Sequence, residues 1–453
     1  MPRGSSDIPE LRLEVLQKFV TKFTAAPNLI LMNMFPSSDS PSSTIKWESQ
    51  RGGRGLTPFV PPGAPAHVTA PLGVAQHMAE AAYWKEKMPF DEEFLNNLRK
   101  EGTEAQYLAA TQRLAKELAG IKNRSNRRLE WMFVKMLFEG EFDYQLQGGV
   151  KIKVDYSIPS THKVTLTSAQ NWNDGASADI FGDIRDGKRL IAEDCGGIVT
   201  KAICNSKVLN YLADDSTING LLQSNHFGAG DLYSGKKNRL ALVNPKVVAS
   251  ILDIDELIIY DEMYEVKAYL TGAVTGGTQT WIAVNDTSDF EKYAKLRFWD
   301  ISAGTYEESY ILSVDQFAGR IQVATPPVNS YIAGEDYVTM AKYFVPDDKF
   351  LMMATTIEGS PVAEYKKAPF GLGRTFGQFT DKMDKWDPDV TWIRVQDKGL
   401  PVLFYPDALY IMDVVSTTGE SATSTTTTSS STSSTSSTNS TTSSSSTTTT
   451  TGP

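Results

Sequence analysis

From Thr103 to about Phe138 the chain carries no proline, and apolar residues return at helical spacing through Tyr107, Leu114, Leu118, Ile121, Leu129, Met132, Phe133 and Met136. Thr111 and Ser125 fill two further positions of that stripe. At ~1.5 Å per residue such a helix is on the order of 50 Å long, which exceeds the width of an ordinary small domain. It acts as a spine along which other elements are laid. The basic run KNRSNRR, residues 122 to 128, lies on it, and a solvated helical face is favoured over contact with an anion or an acidic partner.

Upstream, IPELRLEVLQKFVTKF (8 to 23) puts Ile8, Leu11, Val15, Phe19 and Phe23 on one helical face, with charges largely opposite. This amphipathic arm needs a surface to lie on. SSDSPSS after Pro36 is a loop by composition, and Ile45 and Trp47 then alternate with polar neighbours as in a strand. The stretch TIKWESQRGGRGLTPFVPPGAPAHV (44 to 68) follows, with Arg51 and Arg54 among glycines. RGGRG reads either as a nucleic-acid box or as the tip of a structure built from protein. Such boxes are usually repeated in disordered chain, whereas this copy is single and lies between strand-like flanks.

Past the spine, GVKIKVDYSI alternates strictly, with Val150, Ile152, Val154, Tyr156 and Ile158 on one face. Asp179 to Asp194 reads as a helix, GGIVTKAIC as a buried strand, and Asn205 as the cap of a helix carrying Val208, Leu209 and Leu212. ELIIYDEMY (256 to 264) adds a strand to this α/β segment. Residues 271 to 340 are instead short strand-like runs separated by Gly, Asp, Asn and Pro, the pattern of a small antiparallel β module inserted into the chain. From Ser416 onward the chain is almost wholly Ser and Thr, which bury too little apolar surface to offset the entropy of ordering. A mobile appendage is expected there.

The 453 residues, 41% of them apolar, can supply a sizeable core, while a formal net charge of −10 argues against a general polyanion-binding surface. Cys195 and Cys204 are the only cysteines, neither a disulfide framework nor a zinc site, and suit a reducing compartment. No window approaches the roughly 18 apolar residues of a membrane span, and MPRGSSDIPE lacks a signal peptide's apolar region. A soluble, intracellularly made protein without a membrane partner is expected. His67, His77, His162 and His226 are scattered without metal-ligand spacing. TDKMDKWDPDV (380 to 390) lacks the spacing of a calcium loop and reads as a surface loop. GLGRTFG (371 to 377) is neither a dinucleotide nor a phosphate loop, and no nucleophile elbow occurs. No catalytic residue, metal or cofactor is expected.

Taken in order, RGGRGLTPFVPPG (51 to 63), FDEEFLNNLRKEGTEAQ (90 to 106), NRRLEWMFVKMLFEGEFDY (126 to 144), IIYDEMY (258 to 264), YFVPDDKFLMM (343 to 353) and DPDVTWIRVQDKGLPVLFYPDALYIMDVV (387 to 415) resemble the lambda-type major capsid proteins of tailed bacteriophages, the major capsid protein E family. The resemblance covers most of residues 10 to 270 and 341 to 415. It implies an α+β tailed-phage major capsid fold. The parts are an N-terminal arm (1 to 43), an extended β-hairpin loop (44 to 78), the spine helix with a peripheral domain (79 to 165), and an axial α/β domain (166 to 270). The inserted β module (271 to 340), a return of the axial and peripheral domains (341 to 415) and the Ser/Thr-rich tail (416 to 453) follow. The module and the tail depart from simpler family members.

The resemblance further implies that the arm lies on a neighbouring subunit and that the hairpin reaches across an adjacent one. RGGRG then becomes the hairpin tip. Gly52, Gly53 and Gly55 permit tight turning, and Arg51 and Arg54 can pair bidentately with a neighbour's carboxylates. Trp47 and Phe59 on the hairpin and Phe19 and Phe23 on the arm complete the candidate assembly interface.

The implied function is self-assembly into pentamers and hexamers that close as an icosahedral head around double-stranded DNA, without sequence-specific binding and without enzymatic activity. Scaffolding, portal and decoration proteins are further expected partners, with assembly in the host cytoplasm and residence in the virion. Two rivals stay open. One is an encapsulin-like compartment built on the same fold; the other is a secreted carbohydrate-active or adhesive protein with a glycosylated Ser/Thr segment.

Overall fold

The computed structural model describes residues 9–22, 28–50, 56–57, 59–63, 65, 74–98, 104–145, 151–167, 169–173, 178–218, 220, 244–287, 289–371, 373–386 and 389–415. The tail from 416 lies outside them. The spine is one helix, Glu104–Val134, whose 31 residues make it about 46 Å long. It widens into a π-helical turn at Lys135–Glu139, and Gly140, with φ 73°, closes it in the left-handed conformation. Leu114, Leu118, Ile121, Leu129, Met132, Phe133 and Met136 are buried along it. The first half of the stripe packs into a satellite cluster, and the second half enters the main core.

Two sheets flank the spine. One, called peripheral after the domain expected there, runs Ser37–Asp39, Ala363–Lys367, Asp389–Leu403, Phe379–Trp386, with Ala82–Phe90 also paired along Asp389–Leu403. Two loop readings are corrected here. SSDSPSS supplies the short strand Ser37–Asp39, because residues 37 to 39 find a parallel partner in Tyr365–Lys367. The acidic run at 380 to 390 belongs to an antiparallel strand pair, because its charges are met across the ladder: Arg394 Nε donates to Asp381 at 2.8 Å, and the Thr391 hydroxyl to Asp384 at 2.8 Å. Gly399 on the long strand is required by close approach, since a Cβ there would sit 2.2 Å from the Tyr365 hydroxyl oxygen.

The other, called axial after the domain expected there, runs Lys163–Thr165, Leu409–Asp413, Lys349–Met353, Lys201–Cys204, Glu256–Ile259. Helices Ile180–Cys195 and Ser206–Asp214 accompany it, capped by the Asp179 and Asn205 side chains. ELIIYDEMY does not run on as one strand. Asp261 accepts from the Ser206 N–H at 2.8 Å and Glu262 faces Arg127 at 3.4 Å, so the chain breaks between Glu256–Ile259 and Met263–Tyr269.

Met263–Tyr269 opens a six-stranded antiparallel sheet, continued by Tyr337–Tyr343, Lys295–Asp300, Thr305–Asp315, Arg320–Val323 and Trp281–Ala283. This sheet has its own core, including Ala268, Phe298, Ile311, Ile321, Tyr331 and Val338. Its first and second strands pair over their whole length, so the segment is entered and left through adjacent strands.

Candidate functional site

The arm helix, Leu13–Lys22, packs on the body of its own subunit. Leu11 and Leu16 are buried with Phe90, Phe94, Leu95, Leu98, Leu114, Leu118 and Ile393 of the same subunit. These two side chains are buried within their own subunit, and the reason is local. The first half of the spine and the start of the long strand present an apolar strip that the arm covers. Gln17 completes the attachment by imitating a strand partner: its Nε2 donates to the Gln378 carbonyl at 3.3 Å and its Oε1 accepts from the Thr380 N–H at 3.0 Å. The Phe19 side chain and Phe23 lie outside the described residues.

Further on, Leu29, Leu31 and Phe35 enter the main core, and Phe35 stacks on Phe133 of the spine at 5.5 Å. Glu130 holds this segment. It is 0% exposed, and its two oxygens accept the N–H groups of Leu31 at 2.8 Å and Met32 at 2.7 Å and the hydroxyl of Tyr260 at 2.7 Å. Burial raises its pKa, and these hydrogen bonds to the charged form oppose the rise. One carboxylate thus ties arm, spine and axial sheet. Its sequence signal is a lone acid four residues after Asn126 and four before Val134, all three buried on the spine.

The arginines of the basic run stand on an exposed face of the spine, as a solvated helical face requires, and make surface pairs there. Arg124 pairs with Glu86 at 2.9 Å, Arg127 with Glu262 at 3.4 Å, and Arg128 lies 5.0 Å from the Trp131 ring centre. Lys122, Ser125 and Asn126 between them are buried, and Ser125 accepts from the Trp84 indole at 2.8 Å.

The hairpin strands Thr44–Gln50 and Val74–Glu80 pair antiparallel along their length. Trp47 is 4% exposed, stacked on His77 at 5.3 Å and 6.0 Å from Tyr156. Trp47 is the root of the hairpin in its own subunit, because its position alternates inward with Ile45 and Ser49. His77 accepts or donates a 2.8 Å hydrogen bond with the Ser49 hydroxyl, and the Gln50 N–H reaches the Phe404 carbonyl at 2.8 Å. Beyond that anchor the environment changes. Leu56 is 95% and Phe59 105% exposed, and Val60 and Met78 are also in solvent. Arg51, Gly52, Gly53, Arg54 and Gly55 lie outside the described residues.

His162 is buried between the Leu409 carbonyl at 2.7 Å and Asp194 at 2.9 Å, a satisfied core histidine. Cys195 and Cys204 are buried and unbridged, and burial pushes the Cys204 thiol up. Among the described residues no group of three or more His, Cys, Asp or Glu side chains converges as a metal site, and no helix is long and apolar enough to cross a membrane.

A family model for phage major capsid protein E matches residues 13–286. No curated protein matches the chain. Among solved structures it is similar to a prophage protein from Escherichia coli CFT073, with a TM-score of 0.49, 12% identity, and coverage of 89% of this chain and 99% of that one. The mature capsid of bacteriophage PhiM1 gives a TM-score of 0.41 at 8% identity over 86% of this chain and 87% of that one. An encapsulin complex from Synechococcus elongatus PCC 7942 gives 0.38 at 9% identity over 86% and 89%. The family match takes in the arm, the hairpin, the spine and the axial strands through Ile259, more than half of the chain. The protein belongs to the phage major capsid protein E family.

Proposed function

We propose that this subunit builds an icosahedral phage head by laying its hairpin on a neighbouring copy while its arm stays folded against its own spine. The carrying observation is the contrast along the hairpin: Trp47 roots it in the subunit, yet Leu56, Phe59 and Val60 beyond the root stand in solvent. Covering apolar surface is worth roughly 25 cal/mol per Å², so a second copy that receives these side chains is held by them. Around pentamers and hexamers such modest contacts add through multivalency. Arg51 and Arg54, set among Gly52, Gly53 and Gly55, supply bidentate donors for the neighbour's carboxylates.

The module at 271 to 340 projects from the outer face, since lateral and inner faces of a closed shell have little room for it. A net charge of −10 suits a container for double-stranded DNA, because a basic lining would hold the polyanion and hinder its entry and release. Scaffolding, portal and decoration proteins are the further partners of such a subunit, and the virion is its destination.

Expressed with its scaffold, the full chain is expected to sediment as a multi-megadalton shell. Arg51→Glu with Arg54→Glu is expected to abolish shells while leaving the circular dichroism of the subunit unchanged, because like charges then face each other across a repeated contact. Normal shells from the double variant would remove the tip from the interface, and a chain that stays monomeric with its scaffold would remove the shell reading.

A further inference from the structure

The six-stranded sheet has one face in its own core and the other in solvent, and the solvent face carries a pattern that the shell role does not use. Tyr269, Tyr337, Trp299 and Tyr306 stand opposite one another on four adjacent strands. Their ring centres follow at 5.9 Å, 6.1 Å and 4.9 Å. Three strand spacings of ~4.8 Å make the row about 14 Å long. Its ends are open, with Tyr269 42% and Tyr306 48% exposed. The Trp299 indole donates to the Thr339 hydroxyl on the next strand at 2.9 Å, so the ring leans across that strand.

The adjacent register row is polar: Lys267, Thr339, Arg297 and Glu308. Arg297 is matched by Glu308 at 3.0 Å. Lys267 is not matched in this way. Its ammonium lies 3.5 Å from the Tyr337 ring centre and 4.7 Å from that of Tyr269, and no carboxylate among the described residues pairs with it.

Cross-strand aromatic pairs brace a sheet, but a brace needs neither open ends nor a lysine held on its rings with no carboxylate beside it. The exposed Ile301, Val328 and Ile332 lie outside both rows, so this part of the face offers rings and hydrogen-bonding groups without an aliphatic patch. Rings beside hydrogen-bonding groups instead suit an amphipathic polyol, whose C–H faces pack on aromatic surface and whose hydroxyls meet Arg297 and Glu308. The unmatched Lys267 adds charge complementarity for an acid. We propose that this face binds an acidic, uronate-containing polysaccharide, with Trp299 and Tyr306 stacking on sugar rings and Lys267 receiving a carboxylate. The access of this face in a finished particle rests on the outward placement of the module.

Assembled particles and unassembled full-length chain are each titrated with polygalacturonate oligomers and with a neutral glucan of equal length, followed by tryptophan fluorescence and co-sedimentation. Saturable binding of the polyuronate to both forms is expected, with the glucan about ten-fold weaker. Lys267→Ala should abolish that preference, a loss of about ten-fold for the polyuronate alone; its side chain is exposed, so the variant loses only the contact with the Tyr337 and Tyr269 rings and still folds. Trp299→Ala should weaken both sugars, and Trp299→Phe, which keeps a ring, covers the case in which the alanine variant does not fold. Binding by free chain but not by particles would keep the saccharide site and overturn the outward placement. No binding by either form, or equal binding by wild type and Lys267→Ala, would overturn the proposal and leave the row as a brace. Retention of a decoration protein or a second copy by this face, in place of sugar, would overturn it as well.

Discussion

The arm helix and the hairpin make the same demand, since each carries apolar side chains without a core of its own, yet the folded subunit meets that demand for only one of them. Leu11 and Leu16 of the arm are fully buried against the spine and the long peripheral strand. Leu56 and Phe59 of the hairpin remain in solvent. The difference lies in what each piece passes over. The arm runs beside Ala110, Leu114 and Leu118, in a cluster that Phe90, Phe94, Leu95, Leu98 and Ile393 complete, whereas the exposed Leu56 and Phe59 of the hairpin come after its last anchor, the Gln50 bond to Phe404. Amphipathicity says that a segment must be covered; whether the cover comes from the same copy or another is decided by the apolar surface within reach.

The largest effect expected on the subunit comes from breaking the arm's side of the comparison. Leu16→Asp places an unpaired carboxylate in an apolar cluster, which costs on the order of 3–5 kcal/mol. Urea unfolding of unassembled chain should show the loss, and brief proteolysis should cut the released arm first. Unchanged stability would mean that the arm is not held by its own subunit.

A smaller effect sharpens the same contrast at Glu130. Glu130→Ala leaves the Leu31 and Met32 N–H groups and the Tyr260 hydroxyl without an acceptor, and unsatisfied buried donors cost about 1–3 kcal/mol each, less where water can enter. A loss on the order of 3 kcal/mol is expected in the same unfolding assay. The pH dependence has a definite sign. The folded carboxyl titrates above its ordinary 4.5, so the unfolded chain ionises first as pH rises, and stability falls from there through the raised folded value. Glu130→Gln should flatten that part of the profile, and an unchanged slope would place its origin in another group.

The spine, the arm helix, the alternation at Ile45 and Trp47, and the caps Asp179 and Asn205 were legible because each is written in neighbouring residues. What was not legible depends on partners distant in sequence. Trp47 is buried because its face of the hairpin meets Tyr156, and the acidic run becomes strand because Arg394 and Thr391 answer Asp381 and Asp384. The basic run gave no hint that Arg124 and Arg127 would find Glu86 and Glu262. Of the candidate interface residues, only Phe59 is both described and exposed. Composition placed a sheet at 271 to 340, but periodicity cannot say which positions on different strands will share a register row, and so the row through Trp299 was invisible.

The smallest expected effect on folding, and the sharpest on the comparison, belongs to Phe59. Its side chain is free of the subunit, so Phe59→Ser should change the unfolding free energy by no more than about 0.5 kcal/mol. Trp47→Ala, twelve residues earlier on the same hairpin, removes a buried ring from the root and should cost about 3–5 kcal/mol. If Phe59 meets a neighbouring copy, its replacement by serine should lower particle yield at fixed subunit concentration while the melting curve of free subunit stays in place. The Trp47 variant should lower both. Equal losses of subunit stability at the two positions would show that the hairpin beyond Gln50 is folded back on its own body, and a Phe59→Ser chain that assembles at the wild-type yield would take that side chain out of the contact between copies.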